Sequence, residues 1–251
     1  MRFLTLVLSL ALFSLTARAQ FQVRDSSLFD PHVSISFGRQ TPAGDLADRF
    51  GDNNSVGIGF HIKTRKNWYY GVQGNYIFGT SVNQPGLLSN LITDNNEILD
   101  EQGMIAEMAI QQRGFTVTLD GGYLWDIIGP NPNSGILLKG GVGLLQHKIR
   151  VEHQRNEMMF LEGEYLKGYD RLCNGLTVHQ FIGYSHMSNN RMINFYIGIE
   201  GYQAWTEGRR DINFDTQISD KGIPRFDMLY GIRGGWVLHL YRRDPDKFYF
   251  N

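Results

Sequence analysis

Apolar and polar positions alternate along the chain from His32 onward, the pattern of a sheet whose two faces meet different surroundings. The stretch Ser55 to Thr64 shows it plainly, with Val56, Ile58, Phe60 and Ile62 on one face and Gly57, Gly59, His61 and Lys63 on the other. The same alternation recurs around Val33 to Phe37, Asn67 to Gly79, Phe115 to Trp125, Ile136 to Gln146, Leu176 to Tyr184, Ile193 to Trp205 and Phe226 to Leu240, which makes eight predicted strands. In Leu176 to Tyr184, Gln180 falls on the apolar face and Phe181 on the other, so a bulge or a shifted register is expected there.

A soluble β-sandwich alternates too, and the aromatic residues separate the two cases. In the third segment Trp68 and Tyr70 mark one end and Tyr76 and Phe78 the other. The run between them, tilted by about 40°, spans about 25 Å, the height of a transmembrane barrel's apolar band. In an antiparallel meander Tyr123 and Trp125 reach the level of Trp68 and Tyr70, and the four read as an aromatic girdle. The opposite face, with its Gly, Ser, Thr, Asn, His and charged residues, is a poor sandwich core but suits a barrel interior.

Connection lengths agree. The gaps at 39–54, 80–112, 148–171 and 206–225 are long, and those at 65–66, 127–134 and 187–191 are short. Four long extracellular loops and three tight periplasmic turns are the outer-membrane arrangement. The expected fold is therefore all-β, an eight-stranded antiparallel up-and-down transmembrane β-barrel.

Composition refines this picture. Among 251 residues, 24 Lys+Arg oppose 25 Asp+Glu, a balance that argues against a nucleic-acid partner. The single cysteine, Cys173, excludes an intrachain disulfide framework and any multi-cysteine metal site. Met1-Arg2, the apolar run Phe3 to Leu15 and Ala17-Arg18-Ala19 form a signal peptide over residues 1–19, leaving a barrel domain over 20–251. Export to the outer membrane of a Gram-negative bacterium follows, with lipid and lipopolysaccharide as surroundings.

An eight-stranded barrel is only wide enough for side chains to fill, so a wide pore is not expected. The inward charges pair by level, Asp120 with Lys139 and Glu200 with Arg233. No cofactor and no metal is expected; Asp45, Asp48 and Asp52 surround a short helix around Gly44 to Phe50 but match no calcium-loop spacing.

The stretch Ile35-Ser36-Phe37-Gly38, followed by Pro42-Ala43-Gly44-Asp45-Leu46 and Arg49-Phe50-Gly51, and the stretch Tyr230-Gly231-Ile232-Arg233-Gly234-Gly235-Trp236 resemble the small outer-membrane β-barrels of Bacteroidota. That family includes OmpA-like and OmpX-like barrels and PorT-like proteins linked to type IX secretion. The resemblance implies an envelope barrel that acts beside a secretion or assembly machine.

One local motif points elsewhere. His186-Met187-Ser188-Asn189, with Gly198-Ile199-Glu200 beyond it, is similar to elements of the lipid A deacylase PagL. The resemblance would make His186 the base, Ser188 the nucleophile and Glu200 the orienting group. Ser188, however, falls in a turn expected on the periplasmic side, and the alternation points Glu200 inward and His186 outward. The expected function is non-catalytic, a structural or protein-interaction subunit, with a hydrolase and a narrow channel as alternatives.

The loops carry the partner signal. Leu87, Leu88, Leu91 and Ile92 recur at helical spacing, followed by Met104, Ile105, Met108 and Ile110. Such apolar loops either cap the barrel mouth, together with Met158, Met159, Phe160 and Leu161, or dock an envelope protein. Leu87, Leu91, Met104 and Met108 are the candidate docking residues.

Overall fold

The computed structural model describes residues 26–240 apart from 94, 96, 101, 107, 154–162, 164 and 190–192. The expected signal peptide at 1–19 and the apolar residues Met158, Met159, Phe160 and Leu161 lie outside the described residues. Eight strands follow one another: β1 (Asp30–Gly44), β2 (Asn53–Lys63), β3 (Trp68–Gly79), β4 (Met108–Trp125), β5 (Gly135–His153), β6 (Cys173–Met187), β7 (Asn194–Gly208) and β8 (Pro224–His239). Each pairs antiparallel with its neighbours in chain order, and β8 returns to β1 to close the barrel. No helix among the described residues is long and apolar enough to cross a membrane.

The barrel is built inside out relative to a soluble protein. Ile35, Leu119 and Ile199 are 60%, 66% and 62% exposed, while their chain neighbours Ser34, Thr118 and Glu200 are 1%, 0% and 1% exposed. Every strand supplies an exposed apolar residue to this outer belt: Ile35, Ile58, Tyr70, Leu119, Val142, Ile182, Ile199 and Ile232. A closed barrel satisfies every backbone hydrogen bond between strands, and the medium this outer face fits is hydrocarbon. The sandwich alternative is thereby excluded.

Three expectations need correction. Strand β6 carries no bulge: its pairing with β5 and β7 runs unbroken, with Phe181 buried in the lumen and Gln180 outward. The strands are also longer than the alternation suggested, because β4 begins at Met108 and β5 continues to His153, 18 and 19 residues. At about 3.3 Å per residue and a tilt of about 40°, such strands rise about 45 Å, well beyond an apolar band of about 25 Å. The helix expected around Gly44 to Phe50 is only a run of turns, in which Phe50 N donates to Leu46 O at 3.0 Å.

Two local features show why the sequence allows these strands. Pro42 lies beyond the last β1–β2 pair, Gln40 with Asn53, and is flanked only by β8, so its missing N–H costs no ladder bond. Gly44 ends β1 at φ 63°, where a Cβ would sit 2.4 Å from Phe226 O. The chain then turns, and Asp45 ties the loop to β8 by accepting the Phe226 N–H at Oδ2, 2.7 Å away.

Candidate functional site

The interior is filled in three layers. At the end with the long loops, inward residues Ile77, Leu145, Ile149, Tyr202, Ala204 and Leu229 form one apolar cluster with Leu46, Phe50, Leu87, Leu88 and Tyr169 from the loops. The inner face is therefore not polar throughout, as the alternation had implied; its upper third carries a hydrophobic cluster roofed by loops, with His147, Thr206 and Asp227 buried beside it. At the short-turn end Tyr69, Leu124, Leu137, Phe181, Tyr196 and Val237 form a second cluster. Between them runs a belt of hydrogen-bonded polar groups.

Arg233 and Glu200 are the centre of that belt. Arg233 Nη2 donates to Glu200 Oε1 at 2.9 Å and to Ser55 Oγ at 2.8 Å, and its Nη1 reaches Ser36 Oγ at 2.9 Å. Gln40 Nε2 and the Tyr202 hydroxyl also donate to Glu200, at 2.7 and 3.3 Å. Asn75 Nδ2 links Tyr202 to Thr116 at 3.1 and 2.9 Å. Buried from bulk solvent, each bond is stronger than in water and each lost partner costs more.

The pairing expected between Asp120 and Lys139 is not formed. Asp120 sits opposite Gly141, two residues from the level of Lys139, and its oxygens lie 3.0 Å from His179 Nδ1 and 3.8 Å from His61 Nε2. Lys139 instead places Nζ over the rings of Phe181 and Tyr196, 4.9 and 5.1 Å from their centroids. Gly141 makes room for Asp120, since a Cβ there would be 2.1 Å from Asp120 Oδ1. A cavity beside this layer, lined among others by His61, Lys63 and Lys139, holds only about 20 Å³, room for about one water.

The sequence missed a second set of polar and charged contacts. His147 Nε2 lies 2.8 Å from Asp227 Oδ2, both shielded from solvent, and Thr206 donates to the same carboxylate. Above them Arg171 grips Asp215 through Nη2 at 2.7 Å and Asp220 through Nη1 at 2.9 Å, and Arg49 reaches Asp220 at 3.2 Å. Arg210 Nε donates to Asp170 at 2.7 Å. These contacts bind three loops to one another, and no strand periodicity could have announced them.

The loop candidates divide. Leu87 is buried, Leu91 and Met108 pack partly buried against the cap, and Met108 opens β4 rather than lying in a loop. Only Met104 of the four stands out, 58% exposed beside Ile105 at 61%. Asp45, Asp48 and Asp52 do not converge: Asp52 accepts from Thr41 Oγ1 at 2.9 Å and Arg39 Nη2 at 3.2 Å. Those bonds, Thr41 first, hold its carboxyl below the ordinary aspartate value, and Lys221 does the same for Asp211. Both contacts are present above the unfolded pKa and are lost as pH falls through the folded one.

The girdle residues lie outward near the short turns. Trp68 pairs with Tyr123 edge to face, centroids 5.3 Å apart, and Tyr123 meets Trp125 at 5.7 Å, while Tyr70 stands exposed opposite Gly121. The residues of the deacylase-like motif are not brought together. His186 pairs with Phe195 and Glu200 with Phe181, about 17 Å apart along the strands and on opposite faces. Ser188 lies in the turn, where its N–H donates to Asn194 Oδ1 at 3.1 Å, and Glu200 is committed to Arg233.

No family model and no curated protein matches the chain. Solved structures similar to it include Ail, the attachment invasion locus protein of Yersinia pestis, at 10% identity and TM-score 0.41, covering 84% of this chain and 99% of that one. Neisserial surface protein A has 8% identity, TM-score 0.40 and coverage of 83% and 96%. The outer membrane protein OprG from Pseudomonas aeruginosa has 12% identity, TM-score 0.37 and coverage of 88% and 100%. At these identities and scores the likeness carries no functional information.

One surface feature outside the lumen remains. The extended β4–β5 ribbon and the loops beside it border a groove of about 950 Å³, where Arg113, Lys148, Arg150, Lys167 and Arg210 are set against Glu152 and Asp170. Tyr76 and Phe115, at the top of the apolar belt, line its lower edge.

Proposed function

We propose that this chain is a non-catalytic structural and interaction subunit of the bacterial outer membrane, with its short turns in the periplasm and its long loops outside. The observation that carries this reading is the blocked interior. Among the described residues the lumen is filled by the Glu200–Arg233 belt and roofed by loop residues such as Leu87 and Phe50, which supports a closed interior. What is left to act on other molecules is the outside.

Two outer surfaces fit that role. The cationic groove above Tyr76 and Phe115 lies where a strand leaves the apolar band, at the depth of phosphorylated glycolipid headgroups, which supports contact with lipopolysaccharide. Above it, the β3–β4 connection exposes Met104 and Ile105 and the β7–β8 connection exposes Ile218 and Ile223. Apolar side chains exposed on loops above the membrane support docking of another envelope protein. The resemblance to PorT-like barrels supports a partner in a secretion or assembly machine.

Crosslinking in intact cells followed by detergent purification tests this. A stoichiometric envelope partner that is retained by wild type and lost from Met104→Asp/Ile105→Asp, with the barrel still folded, is the expected result. Recovery of the barrel alone, in every detergent tried, would contradict the interaction role.

A further inference from the structure

The barrel closes where β1 meets β8, and one inward pair at that seam is His32 directly opposite His239. Asp30 lies two residues before His32 and so shares its face. The Asp30 carboxylate approaches both imidazoles, Oδ2 lying 2.7 Å from His239 Nδ1 and 3.1 Å from His32 Nδ1. One ligand atom from each of the three falls within 4.8 Å of the others.

We propose that Asp30, His32 and His239 form a binding site for a divalent transition metal of the Zn²⁺ type, which clasps the first strand to the last. Two observations go beyond a simple hydrogen-bonded knot. Asp30 is 1% exposed, yet its Oδ1 has no hydrogen-bond partner among the described residues, an uncommon state for a buried carboxylate oxygen. The trio also lines the small cavity of about 20 Å³, which has room for one ion or one water.

The donor chemistry selects the metal. Two imidazoles and a carboxylate suit Zn²⁺ and its first-row neighbours, whereas Mg²⁺ and Ca²⁺ prefer oxygen alone. Bonds of about 2.0 to 2.2 Å place ligand atoms about 3 to 3.5 Å apart, close to the carboxylate–imidazole separations already present. The nearby Lys63 ammonium is engaged elsewhere, donating to Ser27 Oγ at 2.8 Å, Asn133 Oδ1 at 2.9 Å and Leu28 O at 3.2 Å. A metal held here would join residues 209 positions apart in the chain and would stabilise only the closed barrel.

The full chain, purified in detergent and stripped with chelator, is titrated with Zn²⁺ by calorimetry and unfolded thermally with and without the ion. The expected result is one Zn²⁺ per chain, a raised unfolding midpoint, and no comparable effect of Mg²⁺. Asp30→Asn and His239→Gln should each weaken binding roughly tenfold or more, while Asp211→Asn, exposed in the β7–β8 loop at the other end of the barrel, should leave it unchanged. Absence of stoichiometric Zn²⁺ binding by wild type would overturn the proposal even if no variant folds. Full binding by the His32→Gln/His239→Gln double variant would overturn it as well.

Discussion

Arg233 and Glu200 meet diagonally across the β7–β8 pair, with Arg233 Nη2 2.9 Å from Glu200 Oε1 and both side chains sealed from solvent. The pair lies in the middle of the lumen, with apolar layers on either side and both side chains buried. Its value is therefore conditional: together the two are tolerated, apart each is a buried unpaired ion.

Glu200→Ala should destabilise the barrel by about 3 to 5 kcal/mol, read from urea unfolding in lipid vesicles. The double variant Glu200→Gln/Arg233→Met should recover much of that loss. A single variant as stable as wild type would mean that water enters the belt.

Gly141→Val should destabilise by about 1 to 3 kcal/mol, because its side chain must displace the Asp120 carboxylate that now occupies that space. The same unfolding measurement checks it, and Gly121→Ala is the control, since nothing lies within 4 Å of a Cβ at that position.

The strands could be read from the chain because one face meets hydrocarbon and the other does not, and a period of two survives whatever the barrel's detail. The level argument placed Glu200 with Arg233 because both lie well inside long, regular strands. It failed for Asp120 and Lys139, where a displacement of two residues gave each a different partner: two histidines from β2 and β6, and a pair of aromatic rings. Phe181 looked like a register error only because a phenylalanine in a polar face is unexpected until Lys139 is placed over it. The Arg171–Asp215 and Arg210–Asp170 ties join loops, whose contacts have no periodicity to reveal them.

Incubating the purified barrel with lipid A should release no fatty acid above background, and Ser188→Ala should behave as wild type in mass spectra of the product. The reason is geometric, since Glu200 is bound to Arg233 inside the lumen and His186 faces outward. Release that depends on Ser188 would show that the turn rearranges into a site the barrel does not hold.

The central claim is that an apolar belt faces lipid while the interior is packed shut. Nitroxide labels at Leu119, Val142, Ile199 and Ile232, in barrels reconstituted into bilayers, test it most directly. All four should be accessible to membrane-dissolved oxygen and shielded from a water-soluble paramagnetic nickel complex. Ready access of the nickel complex to these four positions would contradict the account.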